Sequence, residues 1–109
     1  MSNKKNEKLM SIGQISQRLG IHEQTIRAYE RKGLITPHRS EKKTRAFSEL
    51  DITRLITITL LTQEIGLNIA GVKILFDFAK FNNLSDEELL DYIDDYKSKS
   101  HQNKLRDND

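Results

Sequence analysis

The sequence predicts a mainly α-helical fold in which a winged helix-turn-helix is followed by additional C-terminal helices. Two short helical patterns flank a turn at Gly20, which is the arrangement of a helix-turn-helix. A basic loop follows them, and the short segments on its two sides can form paired strands. From Ser48 onward, longer helical segments are separated by breaks at Gly66 and at Asn82–Asn83.

Length and composition limit the class of protein. The chain has 109 residues, of which 36% are hydrophobic, so it can build one modest core, to which we expect a partner subunit to add burial. It contains no cysteine, which excludes disulfides, thiolate metal sites and thiol nucleophiles. No apolar run is long enough for a signal peptide or a membrane span. We therefore expect a cytoplasmic protein with no membrane partner.

The charge is divided unevenly along the chain. Eleven of the 18 Lys and Arg lie in residues 1–50 together with five acidic residues, which gives that half a net charge of +6. Residues 51–109 carry seven basic and eleven acidic residues, a net charge of −4. This polarity favours a module that binds a polyanion at one end.

The first helix has clear start and stop signals. Ser11 is a good N-cap, and Gln14 at the third helical position completes a capping-box pattern. Ile15 lies on the predicted inner face, and Gly20 stands at the C-terminal end. The segment between them is the first arm of the helix-turn-helix.

The second helix is predicted from about His22 to Lys32, with Gly33 as its terminator, and it is the candidate recognition helix. Ile26 and Tyr29 mark its inner face. A helix fits the major groove of double-stranded DNA, where arginine reads guanine, so Arg27 is the best candidate for a base contact. Tyr29 either packs only in the core or also offers its hydroxyl to a phosphate. The outward side chains of this helix are the further candidates for DNA contact: Gln24, Thr25, Arg27, Arg31 and Lys32.

The loop after Pro37 has the composition of a basic wing. The segments LIT before it and RAF after it are compatible with two very short strands. Cations beside a recognition helix neutralise the phosphates that flank the groove, and the affinity they add falls with salt. A solvated loop without a ligand is the alternative interpretation. The cations of the loop are Arg39, Lys42, Lys43 and Arg45.

The second half of the chain is predicted to be helical. Ser48–Ile65 contains the alternating run ITITL, but it has no turn signal before Gly66 and is too long for a typical strand. Asn68 is placed to cap a fourth helix at about Ile69–Phe81. A fifth helix begins after a capping-box pattern at Ser85 and ends at about Lys97.

These elements divide the chain into four segments. Residues 1–9 are expected to be a disordered basic arm, and residues 10–81 the winged helix-turn-helix domain. Residues 84–98 form the C-terminal helix, and residues 99–109 are expected to be a disordered tail.

The fifth helix carries an apolar stripe with two possible uses. The stripe packs on its own domain or forms a seam against a second copy of the chain, as a dimeric DNA reader requires. Its residues are Leu89, Leu90, Ile93 and Tyr96.

Enzymatic interpretations find little support in the residues. His22, His38 and His101 are isolated and show neither metal-ligand spacing nor a nucleophile–base pattern. The acidic run on the fifth helix is typical of a solvated face. We therefore expect a protein that is not an enzyme and that needs no metal or cofactor.

Three segments resemble the DNA-binding domain of the MerR family of bacterial transcription regulators: SIGQISQRLGIHEQTIRAYERKGLITPHR, TRAFSELDI and GLNIAGVKIL. The resemblance covers roughly Met10–Asp77, about two-thirds of the chain. It implies a winged helix-turn-helix that binds DNA as a homodimer paired through a C-terminal helix. By motif position it also implies that Thr25, Arg27 and Tyr29 contact DNA from the recognition helix, and that Arg45 is the wing arginine.

Within that family, IHEQTIRAYERKGLI and QEIGLNIAGVKIL are most similar to the heat-shock repressor (HspR) subgroup. This similarity implies a short repressor of chaperone operons, with inverted-repeat operators and a DnaK-like chaperone as co-repressor. The sequence departs from the common family pattern at Ala28 and Phe47, where tyrosine is frequent, so any contact from those hydroxyls is lost.

Two other classes of function are compatible with parts of the sequence. One is an excisionase-like architectural protein that bends DNA, although such small winged helices often end near the wing. The other is a protein-interaction adaptor whose working surface is the acidic C-terminal helix. Loss of DNA binding after substitution of Arg27 and Arg45 would distinguish a regulator from the adaptor.

Overall fold

The computed structural model describes residues 9–39 and 45–107, and within these ranges the chain is mainly helical, as predicted. The chain divides into two compact units between Ile56 and Thr57. The elements are α1 (Ile12–Leu19), α2 (Glu23–Arg31), β1 (His38–Arg39), β2 (Arg45–Ala46), α3 (Glu49–Thr59), a π-helical turn (Leu60–Ile65), α4 (Ile69–Phe81) and α5 (Asp86–Asp107).

Helix α1 begins with the predicted capping box. The Gln14 N–H donates to Ser11 Oγ at 3.1 Å, and the Ser11 N–H donates to Gln14 Oε1 at 2.8 Å. These two bonds satisfy donors that the start of a helix otherwise leaves without partners. Gly20 ends the helix in the left-handed conformation, with a φ of 69°, as predicted from its position.

Helix α2 ends in a tight C-terminal turn at Gly33. The Gly33 N–H donates to the Glu30 carbonyl at 3.0 Å, and the Leu34 N–H donates to the Tyr29 carbonyl at 2.9 Å. This pair of bonds is the Schellman arrangement, which requires a positive φ; Gly33 has a φ of 80°. The turn directs the chain into Leu34, which is buried.

The segment predicted as a wing contains two paired strands. Strands β1 and β2 are antiparallel, with His38 opposite Ala46 and Arg39 opposite Arg45. Beyond them, Met10 and Phe47 exchange two backbone hydrogen bonds of 2.8 Å each, which join the N-terminal segment to the end of β2. Residues 40–44 lie outside the described residues, so the wing as a whole stays a prediction.

The segment Ser48–Ile65 is helical, as predicted, despite the alternating run ITITL. Ser48 and Asp51 form a cap at its start, where the Ser48 N–H donates to Asp51 Oδ2 at 2.9 Å. The last part is π-helical and ends at Gly66, whose N–H donates to the Leu61 carbonyl, five residues back. The sequence did not indicate this widened turn.

Helix α4 is capped as predicted by Asn68, whose Oδ1 accepts the Gly71 N–H at 2.9 Å. Val72, Phe76 and Ala79 are buried along one side of it. The helix ends at Phe81, and Asn83, two residues later, has a positive φ of 60° and takes the place that glycine holds in other helix ends.

Helix α5 is longer than predicted. It begins after the expected capping box, in which the Ser85 N–H donates to Glu88 Oε1 at 2.8 Å. It continues to Asp107, so the predicted end near Lys97 is wrong, as is the predicted disorder of residues 99–107. The reason is that residues 97–107, which are polar except for Leu105, contain neither glycine nor proline, and polarity alone does not end a helix.

Candidate nucleic-acid interface

Helix α2 presents a polar stripe opposite its buried side. Gln24, Arg27 and Arg31 are spaced three and four residues apart, so they follow one face of the helix. Gln24 and Arg31 are exposed, and the Arg27 side chain is 32% exposed. Ile26 and Tyr29 are buried on the opposite side, as predicted. The helix therefore offers two arginines and an amide to a ligand. Its other face packs in the core of the first compact unit, which ends at Ile56.

Arg27 is held in an ion pair on its own helix. Its Nη2 lies 3.3 Å from Oε1 of Glu23, one turn earlier. The order of glutamate before arginine at this spacing is the favourable one on a helix. The pair restrains the guanidinium along the polar stripe. Glu23 was not among the residues predicted for the interface, although its i, i+4 spacing from Arg27 is a signal in the sequence.

The remaining predicted residues of α2 differ in their exposure. Lys32 is exposed just after the helix, and Thr25 is half-buried in its first turn. Tyr29 is only 6% exposed, which confirms the expected core packing of its ring. A contact between its hydroxyl and phosphate stays a prediction.

The start of α2 is a further feature that favours an anion. His22 occupies the N-cap position, and its side chain makes no capping hydrogen bond to the first turn within the described part of the chain. Backbone N–H groups at a helix N-terminus carry partial positive charge and bind phosphate oxygens. The N-terminus of α2 is therefore compatible with a phosphate beside the groove.

The predicted wing cations are only partly within the described residues. The backbone positions of Arg39 and Arg45 lie directly opposite one another in the β1–β2 ladder. Lys42 and Lys43 lie outside the described residues. Along the chain, the β1–β2 ladder follows α2 after the turn at Gly33, which is the order predicted for a recognition helix and a wing.

Arg54 of α3 links that helix to the chain leaving α2. Its Nε donates to the Leu34 carbonyl at 2.7 Å, twenty residues away in sequence. The bond fixes the segment between α2 and β1, and so positions both parts of the candidate interface. Sequence reasoning missed it because the contact is non-local and a single arginine in a helix carries no pattern.

The predicted dimer seam on α5 is largely buried within the chain. Leu89 is 3% exposed and Ile93 is 2% exposed, so packing within the chain explains these two residues and they are not available as a surface. Leu90 is half-buried, while Tyr96 is 49% exposed. Of the two uses predicted for this apolar stripe, packing within the chain is therefore the correct one for Leu89 and Ile93.

The residues that the structure describes form neither of two other kinds of site. No group of three or more His, Cys, Asp or Glu side chains there is arranged to hold a metal ion. None of the helices described is both long and apolar enough to cross a membrane.

Comparison with known proteins identifies relatives among transcription regulators. The chain is 40% identical over 62 residues to the putative heat shock protein HspR of Streptomyces coelicolor, covering 57% of this chain and 41% of that protein. It is 43% identical over 54 residues to the HTH-type transcriptional regulator TnrA of Bacillus subtilis, covering 50% and 49% respectively. It is 35% identical over 85 residues to the mercuric resistance operon regulatory protein of Bacillus cereus, covering 72% and 64%. The chain thus spans about half the length of the curated relatives it matches.

The family model of MerR helix-turn-helix regulatory proteins matches residues 10–79, which is more than half of the chain. The matched residues include both helices of the helix-turn-helix, the β1–β2 ladder, α3 and most of α4. The chain therefore belongs to the MerR family of helix-turn-helix regulatory proteins, which are DNA-binding regulators of transcription.

Proposed function

We propose that this protein is a sequence-specific transcription repressor that binds inverted-repeat operators as a homodimer. The observation that carries the proposal is the polar stripe of α2, in which Gln24, Arg27 and Arg31 lie opposite the buried Ile26 and Tyr29. A helix held in this way by its apolar side can enter the major groove with its polar side. The family of the chain supports DNA as the ligand.

Each part of the interface has a distinct task in this proposal. Arg27 donates to the edge of a guanine, which supplies about 1–3 kcal/mol of discrimination against a wrong base. Arg31 and Lys32 contact phosphate, and the α2 N-terminus binds a further phosphate. The cations of the basic hairpin, Arg39 and Arg45 among them, add affinity that does not depend on sequence.

A homodimer follows from the way such short helices read DNA. One recognition helix contacts only a few base pairs, whereas two copies related by a twofold axis read two half-sites about one helical turn apart. An inverted repeat is the DNA counterpart of that symmetry. The second half of the chain supplies the surface for pairing.

Repression of the heat-shock type is the finer part of the proposal. It is supported by the 40% identity to the protein named putative heat shock protein HspR, over a region that covers 41% of that protein. In this interpretation a DnaK-like chaperone acts as co-repressor, and chaperone genes lie near the operator. Chaperone genes adjacent to the gene for this chain would support it.

Binding to promoter fragments from the protein's own genome tests the proposal. Gel-shift titrations in the presence of excess bulk DNA should reveal at least one fragment that the protein binds more tightly than the bulk DNA. The affinity for that fragment should fall as salt increases. The Arg27→Ala variant should show a weaker preference for this fragment, whereas Lys99→Ala, which removes an exposed cation of α5, should retain the full preference. Equal binding of the wild type to every fragment would refute the proposal of sequence-specific repression.

A further inference from the structure

Glu23 places a carboxylate beside the arginines of α2. It is the first residue of that helix, it lies one turn before Arg27, and its side chain is 42% exposed. A negative charge at a surface that approaches phosphates lowers the affinity for DNA of every sequence. The contribution that such a carboxylate can make to DNA binding is therefore to the choice of sequence.

The carboxylate of Glu23 is confined between α1 and Arg27. Oε1 lies 3.3 Å from Nη2 of Arg27. Oε2 faces α1, since a Cβ built on Gly13 would lie 3.4 Å from it, and the absence of a side chain at Gly13 leaves the carboxylate its room. Gly13 is in the first turn of α1 and Glu23 in the first turn of α2, so the positive ends of two helix dipoles adjoin the carboxylate. The acceptor and the guanidinium are thus held side by side.

A purely structural role would make Glu23 equivalent to a second glutamate. Glu49 is the first residue of α3, and its Oε2 lies 3.5 Å from Nη1 of Arg18. An acidic residue in the first turn and an exposed ion pair stabilise a helix by small amounts in both places. Glu23 differs from Glu49 because its partner, Arg27, is the arginine proposed to read a base.

The chemistry of a carboxylate selects one base in the major groove. An ionised carboxylate accepts hydrogen bonds and donates none. Guanine and thymine present acceptors in that groove, which repel it, whereas cytosine presents the N4 amine alone. Adenine presents an amine beside the N7 acceptor, so it is the poorer of the two amine-bearing partners. A carboxylate held at the groove therefore favours cytosine.

The spacing of Glu23 and Arg27 matches neighbouring base pairs. Four residues of helix rise about 6 Å, which is less than two base-pair steps of about 3.4 Å each. We infer that Glu23 determines specificity by accepting a hydrogen bond from N4 of a cytosine one or two base pairs from the guanine that Arg27 reads. The inference rests on the proposed function and assigns a second base to the same half-site.

Selection from randomised duplexes, followed by binding to two defined duplexes, tests this assignment. The wild type should enrich a cytosine close to the guanine, and Glu23→Gln should lose that cytosine but keep the guanine, because an amide also donates to thymine and guanine. Fluorescence anisotropy then compares the selected duplex with one in which thymine replaces the cytosine. The wild type should prefer the cytosine duplex by about fivefold or more, and Glu23→Gln should bind the two duplexes about equally. Because removal of the charge raises the affinity for both duplexes, the ratio of the two constants is the measure.

Glu49→Gln is the matched control. It removes the same charge from the first position of a helix and the same kind of ion pair from the first compact unit. The wild-type ratio between the two duplexes should be retained. Thermal melts followed by circular dichroism report whether both variants are folded to the same extent.

The outcomes separate this inference from the function on which it rests. If the wild type enriches no sequence, the proposed function fails together with the inference. If the wild type enriches a motif and Glu23→Gln enriches the same one, the cytosine contact is overturned and the proposed function stands. A loss confined to the guanine position would also overturn the contact, because Glu23 would then act only through Arg27. An equal loss of cytosine preference in Glu49→Gln would overturn it as a general effect of charge.

Discussion

Glu23 and Arg27 face one another across one turn of α2, with 3.3 Å between Oε1 of Glu23 and Nη2 of Arg27. The two side chains are 42% and 32% exposed, so the pair adds little to stability in water. Its effect is on the arginine that is proposed to read a base. The carboxylate orients the guanidinium, and it also places a negative charge at a surface that is to approach DNA.

Glu23→Gln should therefore strengthen binding to DNA of any sequence. Removal of the carboxylate eliminates its repulsion from nearby phosphates and leaves all of the Arg27 donors to the DNA, so we expect a several-fold lower Kd at low salt. Fluorescence anisotropy with a random duplex measures the change. Glu64→Gln, which removes the partner of Lys97 in the second unit, is the matched control and should leave this Kd unchanged. Equal effects of the two variants would contradict a direct role of Glu23 at the interface.

Gly33→Ala should destabilise the fold, whereas Gly71→Ala should not. Gly33 has a φ of 80° and open space around a built Cβ, so the cost is backbone strain alone, about 1 kcal/mol. Gly71 lies within α4, and a Cβ there meets Asn68 Oδ1 and Leu67 Cδ2 at ordinary contact distances of 3.5 Å. Alanine at Gly71 should stabilise the helix by about 0.5–1 kcal/mol. Urea denaturation of the two variants checks both signs, and a stabilised Gly33→Ala would refute the role of the turn.

Thr59→Val should raise the stability of the second unit. Thr59 Oγ1 is buried and has no hydrogen-bond partner among the described residues. Replacing a hydroxyl of this kind with a methyl group removes a desolvation cost of about 1–3 kcal/mol. The net gain in stability should be smaller, because the neighbouring side chains must accommodate the methyl group. Thr62→Val is the contrasting variant, because Thr62 Oγ1 donates to the Ile58 carbonyl at 2.9 Å and that bond would be lost. Thermal melts in which the two valines act in the same direction would contradict this account of the π-helical turn.

Arg54→Ala should weaken both stability and DNA binding. The Nε donor to the Leu34 carbonyl at 2.7 Å is charged, and its loss should cost about 1.5–3 kcal/mol. Because Leu34 leads from α2 into β1, the two parts of the candidate interface also lose a link that fixes their relative position. Arg31→Ala separates the effects, since Arg31 is exposed and its loss should weaken DNA binding without a change in the urea midpoint. Unchanged stability of Arg54→Ala would refute the role assigned to this bond.

Features encoded within one turn of chain were predictable from the sequence. The caps at Ser11, Asn68 and Ser85 depend on residues three positions apart, and the structure forms each of them. The burial of Ile26 and Tyr29 followed from helical periodicity in the same way. The fold class and the exposed face of α2 were therefore predictable without long-range information.

Features that join distant residues were not predictable. The two hydrogen bonds between Met10 and Phe47 join backbone groups, and the identity of the side chains does not indicate which backbone groups will pair. The length of α5 was not predictable for a different, local reason: polarity does not mark a helix end where glycine and proline are absent. The apolar stripe of α5 was compatible either with packing inside the chain or with contact to a second copy of the chain. Only the observed burial of Leu89 and Ile93 distinguishes the two interpretations.

Selection of binding sites from a pool of randomised duplexes tests the central proposal most directly. We predict that the wild type enriches an inverted repeat with a guanine at one position of each half-site. Arg27→Ala should lose the preference at that position and retain the others, since each base contact is read separately. Failure of the wild type to enrich any sequence, or recovery of the same motif by Arg27→Ala, would contradict the account.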